Sequence, residues 1–333
     1  MIGCGGISGM HLAAYRAAGY NVVAFCDVDI EFARARRDEF FPTADVYSSA
    51  AELLGRSDID VVDVATHVDV RPELVAMALR ADKHVLSQKP FVSDLARGEE
   101  LIGLAVERGR YLAVNQNGRW APHFAFLLAA VQAGLIGKVT SADFAAYWAH
   151  DLAWKDHPVF ATMHDLILYD FGIHWFDIIA RLFAAETATR VTASLRSTAG
   201  QAIAAPTSAT TVIEFENAQA TILFRGASHF AEQGSYRIEG TQGVITHTGL
   251  SLGGDSVSVH TASGTEHITL DGTWWSNGMH GTMGELLSAI EGDRVPTNTA
   301  ANSLPGLALC FAAVQSSRRD KPIDPRTTRA LDI

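Results

Sequence analysis

Two short segments carry side chains that together could move a proton at a substrate oxygen. Lys89 directly precedes Pro90, and a lysine can donate a hydrogen bond to a reacting oxygen. Asp170, His174 and Asp177 are spaced i, i+4 and i+7, which predicts that they share one face of a helix. A histidine can accept a hydroxyl proton near neutral pH, and a nearby carboxylate can orient it. Taken alone, the two segments leave open an ordinary surface lysine and a structural His–Asp pair.

Lys89 is predicted to follow a strand of a parallel sheet. The first 120 residues alternate short apolar runs with helical patterns, which is typical of βαβ units. Strands are predicted over 22–26, 61–65, 84–87 and 112–115, and helices over 10–18, 31–41, 72–81 and 96–108. Because ligands bind at the C-terminal edge of such sheets, the lysine after strand 84–87 is expected to face a ligand.

A glycine-rich segment before the first helix predicts a dinucleotide site, formed by Gly3, Gly5, Gly6, Ile7 and Ser8. Its glycines suit a tight turn and a close approach to a pyrophosphate, which would lie on N–H groups at the helix N-terminus. Asp27 lies at the end of the predicted strand over 22–26, which is the second strand if one precedes the glycine loop. Its carboxylate can accept hydrogen bonds from ribose hydroxyls while repelling a 2′-phosphate. Since no arginine immediately follows Asp27, NAD is favoured over NADP.

The pattern changes after residue 120. A helix is predicted over 123–133, and short alternating runs then indicate an antiparallel sheet. These runs begin at 139, 210, 218, 235, 244, 256 and 266, and closing helices are predicted over 280–291 and 303–318. Trp274 and Trp275 are placed on a Gly-rich loop over 271–278, where they could stack on a sugar face or on another subunit, or be buried against the sheet.

These patterns predict an α/β fold with two domains. Residues 1–120 form an N-terminal Rossmann dinucleotide-binding domain, and residues 121–333 form a C-terminal α+β domain with a large open, mainly antiparallel sheet. Only Met1 and Ile2 precede the glycine loop, so the first strand is expected to be truncated. Packing of the C-terminal helices back onto the first domain is left open.

Composition excludes several classes of function. The chain has 333 residues and a formal net charge of −11, the wrong sign for a nucleic-acid binder. Its apolar stretches are shorter than the roughly 20 residues that span a bilayer. Three cysteines cannot form a disulfide framework, so a cytoplasmic protein is expected. The histidines and aspartates over 150–174 match no metal-ligand spacing, and no G-x-S-x-G elbow is present, so neither a metal site nor a serine hydrolase is predicted.

The motifs together resemble the Gfo/Idh/MocA family, the relatives of glucose–fructose oxidoreductase and inositol dehydrogenase. The resemblance rests on the 3–8 loop, on Lys89–Pro90 as the family's E-K-P turn, and on 170–174 as its D-x-G-x-H segment. It extends to the 134–139 turn and the closing helices over 284–319, so it covers nearly the whole chain.

This resemblance implies an NAD-dependent enzyme that transfers a hydride between nicotinamide and a hydroxyl-bearing carbon of a sugar, inositol or related polyol. By motif match, Lys89 would bind the reacting oxygen, His174 would act as acid or base, and Asp170 would position the substrate. It further implies cofactor contacts from Thr66, Gln88, Lys89 and Asn115, and additional substrate contacts from Asn117 and Arg119. A homodimer or homotetramer through the C-terminal sheet is the implied assembly.

Several positions depart from the family pattern. Gln88 replaces its usual glutamate, and His67 and Arg71 stand where proline and histidine are common. Residues 166–169 replace a Gly-Gly run. Two other functions therefore stay open: a nicotinamide-binding sensor or regulator without turnover, and an NAD-assisted glycoside-cleaving enzyme. Turnover of a polyol would exclude the first, and cleavage of a nitrophenyl glycoside without net NADH formation would indicate the second.

Overall fold

A computed structural model of the chain describes residues 1–249 and 256–331. The chain divides into two compact units. Unit 1 comprises Met1–Trp120 and Trp275–Leu304, and unit 2 comprises Ala121–Trp274 and Pro305–Ile333. The segment 275–304 thus belongs to the same unit as the first 120 residues.

Unit 1 is built on parallel strands separated by helices. The strands are β1 (Ala24–Cys26), β2 (Asp45–Tyr47), β3 (Val61–Val64), β4 (His84–Gln88) and β5 (Leu112–Asn115). The helices that precede or connect them are α1 (Ser8–Ala18), α2 (Ile30–Phe40), α3 (Ala50–Leu54), α4 (Arg71–Arg80) and α5 (Leu95–Glu107). β1 pairs with β2, and β4 lies between β3 and β5, with every pair parallel. The predicted Rossmann-like sheet is confirmed.

A single residue, Ile2, connects the two groups of strands. It forms parallel bridges to Cys26 of β1 and Val64 of β3. Its N–H donates to the carbonyl of Asp63 at 2.8 Å, and its carbonyl accepts from the N–H of Ala65 at 2.8 Å. Through these bonds the backbone groups of Ile2 enter the ladder as those of a longer strand would.

Local signals set the helix boundaries in unit 1. Asp29 and Asp94 cap the N-termini of α2 and α5, because their side chains accept hydrogen bonds from backbone N–H groups two residues further on. Gly19 ends α1 in the left-handed conformation with φ of 73°. The predicted boundaries of these helices agree with the observed ones within two residues.

Unit 2 is built on one large mixed sheet. Its strands are β6 (Val139–Tyr147), β7 (Ala188–Arg196), β8 (Ser208–Phe215), β9 (Gln219–Arg225), β10 (Gln233–Gly240), β11 (Gly243–Gly249), β12 (Ser256–Thr261) and β13 (Gly264–Thr269). Within the described residues these eight strands are ordered β13-β12-β11-β10-β6-β9-β8-β7. All neighbours are antiparallel except β6 and β9, which are parallel. The mainly antiparallel sheet predicted for the second half is confirmed.

The helices of unit 2 are α6 (Pro122–Gln132), α7 (His150–Trp154), α8 (Pro158–Thr162), α9 (Ile173–Leu182) and, from Pro305 onward, α11 (Leu304–Arg319). Helix α10 (Trp274–Glu291) belongs to unit 1 except for Trp274. Burial alternates along the strands, so one face of the sheet is packed and the other is more open. Gly306 lets α11 approach α9 closely, because a Cβ there would lie 2.8 Å from the Cα of Asp177.

Two sequence predictions of local structure are wrong. Residues 170–177 are not one α-helix, because Ile167–Phe171 form a π-helical turn before α9. The Gly-rich segment 271–278 is not a loop throughout, since α10 already begins at Trp274. In addition, β7 has no counterpart among the predicted strands, because its inward positions include a small alanine and its outward positions are threonine, serine and arginine.

Candidate active site

The glycine loop passes close to the end of β3. Gly3 has φ of 91°, in the left-handed region that glycine adopts without a steric penalty. A Cβ at this position would lie 2.8 Å from the carbonyl carbon of Ala65 and 2.8 Å from Cγ2 of Thr66. Both the backbone angle and the close approach therefore require glycine here.

Replacing Gly3 by alanine should destabilise the fold. Forcing a side chain into a left-handed, crowded position costs about 2–4 kcal/mol, which should lower the midpoint of urea unfolding. Gly103→Ala is the matched control, because Gly103 lies within α5 and a Cβ there meets no atom within 4 Å. That variant should keep or raise the midpoint, since alanine is the better helix former. Equal midpoints for Gly3→Ala and the wild type would contradict the strain at Gly3.

The next two glycines leave room for a ligand. A Cβ at Gly5 or Gly6 would meet no atom within 4 Å. Among residues 1–249 and 256–331, the N–H groups of both glycines donate to no other group. The loop leads directly into α1, so these donors lie at a helix N-terminus, where the helix dipole favours an anion. This cradle fits the pyrophosphate of a dinucleotide.

An arginine that the sequence analysis does not select braces this loop. Arg36 of α2 donates from Nε to Oγ of Ser8 at 3.0 Å and from Nη2 to the carbonyl of Gly5 at 3.2 Å. Ser8 Oγ donates to the same carbonyl at 2.6 Å. The guanidinium thus fixes the loop, and its Nη1 also pairs with Oε2 of Glu39 at 2.9 Å. Only tertiary packing brings these residues together, so no local pattern could have identified Arg36.

The carboxylate of Asp27 is held beside the glycine loop by two backbone donors. Oδ2 accepts from the N–H of Cys4 at 2.8 Å, and Oδ1 accepts from the N–H of Asp29 at 3.1 Å. Asp27 follows the last residue of β1 and is half-buried. A carboxylate in this place is the one that recognises the adenosine ribose in dinucleotide folds.

Lys89 lies at the C-terminal end of β4, in a turn that is held by hydrogen bonds with the side chains of Gln88 and Arg71. Its backbone N–H donates to Oε1 of Gln88 at 2.7 Å, and the Lys89–Pro90 peptide bond is cis. The buried guanidinium of Arg71 donates to the carbonyls of Thr66, Gln88 and Pro90. Arg71 therefore joins the backbone after β3 to the backbone on both sides of Lys89.

The other predicted residues of unit 1 surround the same sheet edge. Asn115 is the last residue of β5 and fully buried, and Oγ1 of Thr66 is a buried oxygen with no hydrogen-bond partner among the described residues. Asn117 Nδ2 contacts Sδ of Met279 at 3.5 Å. Arg119 is 5% exposed and donates to the carbonyls of residues 297 and 302, so its described bonds are to the protein backbone.

Unit 2 carries the other predicted chemical groups, at the junction of the π-helical turn and α9. The N–H of Gly172 donates to the carbonyl of Ile167 at 3.0 Å, five residues back, which inserts one residue between Asp170 and α9 compared with a continuous α-helix. A Cβ at Gly172 would lie 2.5 Å from the carbonyl oxygen of Leu168, so glycine permits this geometry. Asp170 is half-buried, and His174, in the first turn of α9, is 6% exposed. Such π-turns occur frequently at functional sites.

Trp274 is a further residue next to His174. The two rings are perpendicular, with centroids 5.3 Å apart, and Trp274 is buried. Its ring also contacts His123 at 5.9 Å and Trp175 at 5.8 Å. Of the placements predicted for Trp274, burial is the observed one, and its indole lines one side of the His174 ring.

The structure thus places the predicted residues in two groups. In unit 1, the glycine loop, Asp27, Thr66, Gln88, Lys89 and Asn115 gather at the C-terminal ends of parallel strands. In unit 2, Asp170 and His174 lie within one short stretch of backbone. No group of three or more histidine, cysteine or carboxylate side chains that could hold a metal ion occurs in the described part of the chain. No helix among residues 1–249 and 256–331 is long and apolar enough to cross a membrane.

Comparison with known proteins agrees with this geometry. The family described as oxidoreductase, NAD-binding Rossmann fold, matches residues 1–116, and the GFO/IDH/MocA C-terminal domain matches residues 124–246. D-apiose dehydrogenase of Paraburkholderia graminis is 27% identical over 99% of this chain and 90% of its own length. D-apiose dehydrogenase of Rhizobium rhizogenes is 26% identical over 97% of this chain and 96% of its own length.

A solved structure shows the same fold. An oxidoreductase from Agrobacterium radiobacter, in complex with NAD+, L-tartaric acid and magnesium, superposes with a TM-score of 0.85. It is 23% identical, and the match covers 98% of this chain and 97% of that one. With both of its domains matched in order, and with a glycine loop and Asp27 that fit a dinucleotide, the chain belongs to the Gfo/Idh/MocA family of NAD-binding oxidoreductases.

Proposed function

We propose that this protein is an NAD(H)-dependent dehydrogenase that acts on a CH–OH group of a sugar or related polyol. The observation that carries the proposal is the gathering of the glycine loop, Asp27 and the Lys89 turn at one edge of a parallel sheet. Similarity to two D-apiose dehydrogenases over nearly their whole length supports a sugar as the substrate class.

The roles of the side chains follow from their chemistry. When bound, NAD+ supplies the acceptor for the hydride that leaves the substrate carbon. His174 accepts the proton of the substrate hydroxyl, and the ammonium group of Lys89 donates a hydrogen bond to the same oxygen as its negative charge develops. A carbonyl group results, and the reverse reaction returns the proton from His174. Asp170, as a fixed carboxylate two residues before Gly172, would bind further substrate hydroxyls and orient them.

The cofactor would be held by the glycine loop and by Asp27, with Arg36 bracing the loop. We expect NADH to bind more tightly than NADPH, because the Asp27 carboxylate faces the position of a 2′-phosphate. Asp27→Asn should lower this preference by about one order of magnitude, since a charge repulsion of about 1–4 kcal/mol is removed. Fluorescence titration with both nucleotides measures the ratio.

A matched control for this titration lies on the same side of unit 1. Asp38 is exposed on α2 and pairs with Arg37, so Asp38→Asn changes the net charge equally. It should leave the NADH-to-NADPH ratio as in the wild type. If both variants change the ratio equally, net charge and not Asp27 determines the preference.

We also propose a cytoplasmic homodimer or homotetramer that forms through the open face of the large sheet. Half-exposed apolar side chains at Ala145, Val212 and Leu223 occupy this face and support the assembly. All three cysteines are free and buried, which supports a reducing compartment. Burial raises the pKa of the Cys4 thiol to about 12 and also raises that of Cys26, so neither is a reactive thiolate at neutral pH.

The proposed activity is tested by incubating the purified chain with NAD+ and a panel of aldoses and polyols, including D-apiose, and measuring NADH formation. Steady NADH formation with at least one of these substrates is the expected result. Tight NADH binding without turnover of any substrate would indicate a sensor instead. Release of nitrophenol from a nitrophenyl glycoside without net NADH formation would indicate glycoside cleavage.

A further inference from the structure

A fully buried histidine lies beneath the Lys89 turn and has no role in the proposed reaction. His11 of α1 is 0% exposed, and its Nδ1 lies 2.8 Å from Oδ2 of Asp63 on β3. The hydroxyl of Tyr15 donates to the same Oδ2 at 2.7 Å. On the other side of the ring, Nε2 lies 2.9 Å from Nδ2 of Asn115 and 3.2 Å from Nε2 of Gln88.

The hydrogen-bond partners fix which amide atoms face the ring. The atom of Gln88 that lies 2.7 Å from the backbone N–H of Lys89 must be the oxygen, because that N–H can only donate. The amide nitrogen of Gln88 then faces His11. Likewise, the atom of Asn115 that lies 3.3 Å from Sδ of Met279 must be nitrogen, since a thioether can only accept. Both side chains therefore present donors to His11.

Two donors at Nε2 require that this nitrogen carries a lone pair and no proton. The single ring proton must then be on Nδ1, where it donates to Asp63. Oδ2 of Asp63 also accepts a hydrogen bond from the hydroxyl of Tyr15, and two hydrogen bonds to one oxygen stabilise an ionised carboxylate. Asp63 and Tyr15 are the titratable side chains that contact His11, and the amino group of Met1 acts on Asp63. The ring is thus neutral beside an ionised carboxylate.

We propose that Gln88 is a positioning residue: it bridges the neutral His11 to the backbone N–H of Lys89 and so fixes the turn that presents the Lys89 ammonium group. The carboxamide of Gln88 is suited to this role because its oxygen accepts a hydrogen bond and its NH2 group donates one. A glutamate could still accept from Lys89, but its second oxygen would face the lone pair of His11. His11 would then have to take up a proton and lie between two carboxylates.

The state of His11 can be measured without any enzymatic assay. Two-bond ¹H–¹⁵N NMR spectra of the imidazole, assigned with His11→Gln, should show a neutral ring protonated on Nδ1. In Gln88→Glu the same ring should carry a proton on both nitrogens, because a carboxylate oxygen then faces Nε2. A wild-type ring that is protonated on Nε2 or on both nitrogens would overturn the proposal.

The link to Lys89 has its own readouts, and only one of them depends on the proposed function. In Gln88→Met the backbone N–H of Lys89 loses its acceptor, so its hydrogen exchange should accelerate by at least about tenfold. The kcat should fall by about ten- to hundredfold, because misplacing a catalytic group by 1 Å can cost that much, while the Kd for NADH stays within a few-fold. Gln88→Glu should retain slow exchange at Lys89, because its carboxylate can still accept a hydrogen bond from that N–H.

The outcomes distinguish the positioning role of Gln88 from the proposed function of the protein. Gln219 is exposed on β9, and Gln219→Met is the control that should change none of these quantities. Unchanged exchange at Lys89 in Gln88→Met would overturn the positioning role. A higher Kd for NADH with an unchanged kcat would instead make Gln88 a cofactor contact. If the wild type shows no turnover, the proposed function fails, while the NMR spectra and the exchange rate still decide the role of Gln88.

Discussion

Lys89→Met should lower kcat by about 10²–10³-fold, the usual effect of removing a donor that stabilises charge on a reacting oxygen. Methionine has a similar length and shape, so the turn held by Gln88 and Arg71 should persist. The Kd for NADH should stay within a few-fold, because the glycine loop and Asp27 are unchanged. Steady-state kinetics on a substrate that the wild type turns over, together with a fluorescence titration, provides the measurement.

Lys321→Met is the control for this experiment, because Lys321 is exposed in unit 2. It should have wild-type kcat and wild-type affinity for NADH. Wild-type turnover in Lys89→Met would remove Lys89 from the mechanism. A large loss of NADH affinity in that variant would mean that Lys89 serves the cofactor and not the substrate oxygen.

His174→Gln should lower kcat by about 10²–10⁴-fold, which is the range for the loss of a general acid or base. In the wild type, alcohol oxidation should accelerate with rising pH, because only the neutral imidazole can accept the hydroxyl proton. The variant should lose this limb of the pH–rate profile, since glutamine does not titrate. Measuring kcat/KM from about pH 5 to pH 9 tests both expectations.

His267→Gln is the control for His174. His267 is exposed on β13 and hydrogen-bonds to Ser258, so its replacement should leave the pH–rate profile unchanged. Should His174→Gln retain the low-pH limb, another group must accept the proton. A parallel loss of far-UV circular dichroism would instead show that the variant is misfolded, and His174→Asn would then replace it in the test.

Much of the fold could be predicted because its signals are local. The alternation of strands and helices in the first 120 residues reflects apolar runs and periodicities that a short window contains. Strand ends then follow from strand positions, so Asp27, Thr66, Lys89 and Asn115 could be predicted to share one sheet edge.

Other features could not be predicted because they depend on contacts between distant segments. The π-helical turn before His174 results from packing around Gly172, and its hydrogen bond spans five residues where the sequence spacing predicts four. The sequence predicts that Trp274 lies in a glycine-rich loop. In the structure Trp274 is buried beside His174, and helix α10 begins at this residue. His11 did carry a signal, since it shares the i, i+3, i+4 and i+7 face of α1 with buried neighbours.

The sequence by itself determined the chemical groups of this protein: a glycine loop before a helix, a carboxylate at a strand end, a strand-end lysine and a helical histidine. Only the tertiary structure decided how the side chains around these groups are protonated and oriented. Gln88 looks like the loss of a charge in the sequence, but in the fold it is a bridge whose two ends meet a donor and an acceptor. The reason is physical: a side chain's protonation and orientation depend on the partners that burial brings to it, and those partners come from helix α1 and from strands β3, β4 and β5.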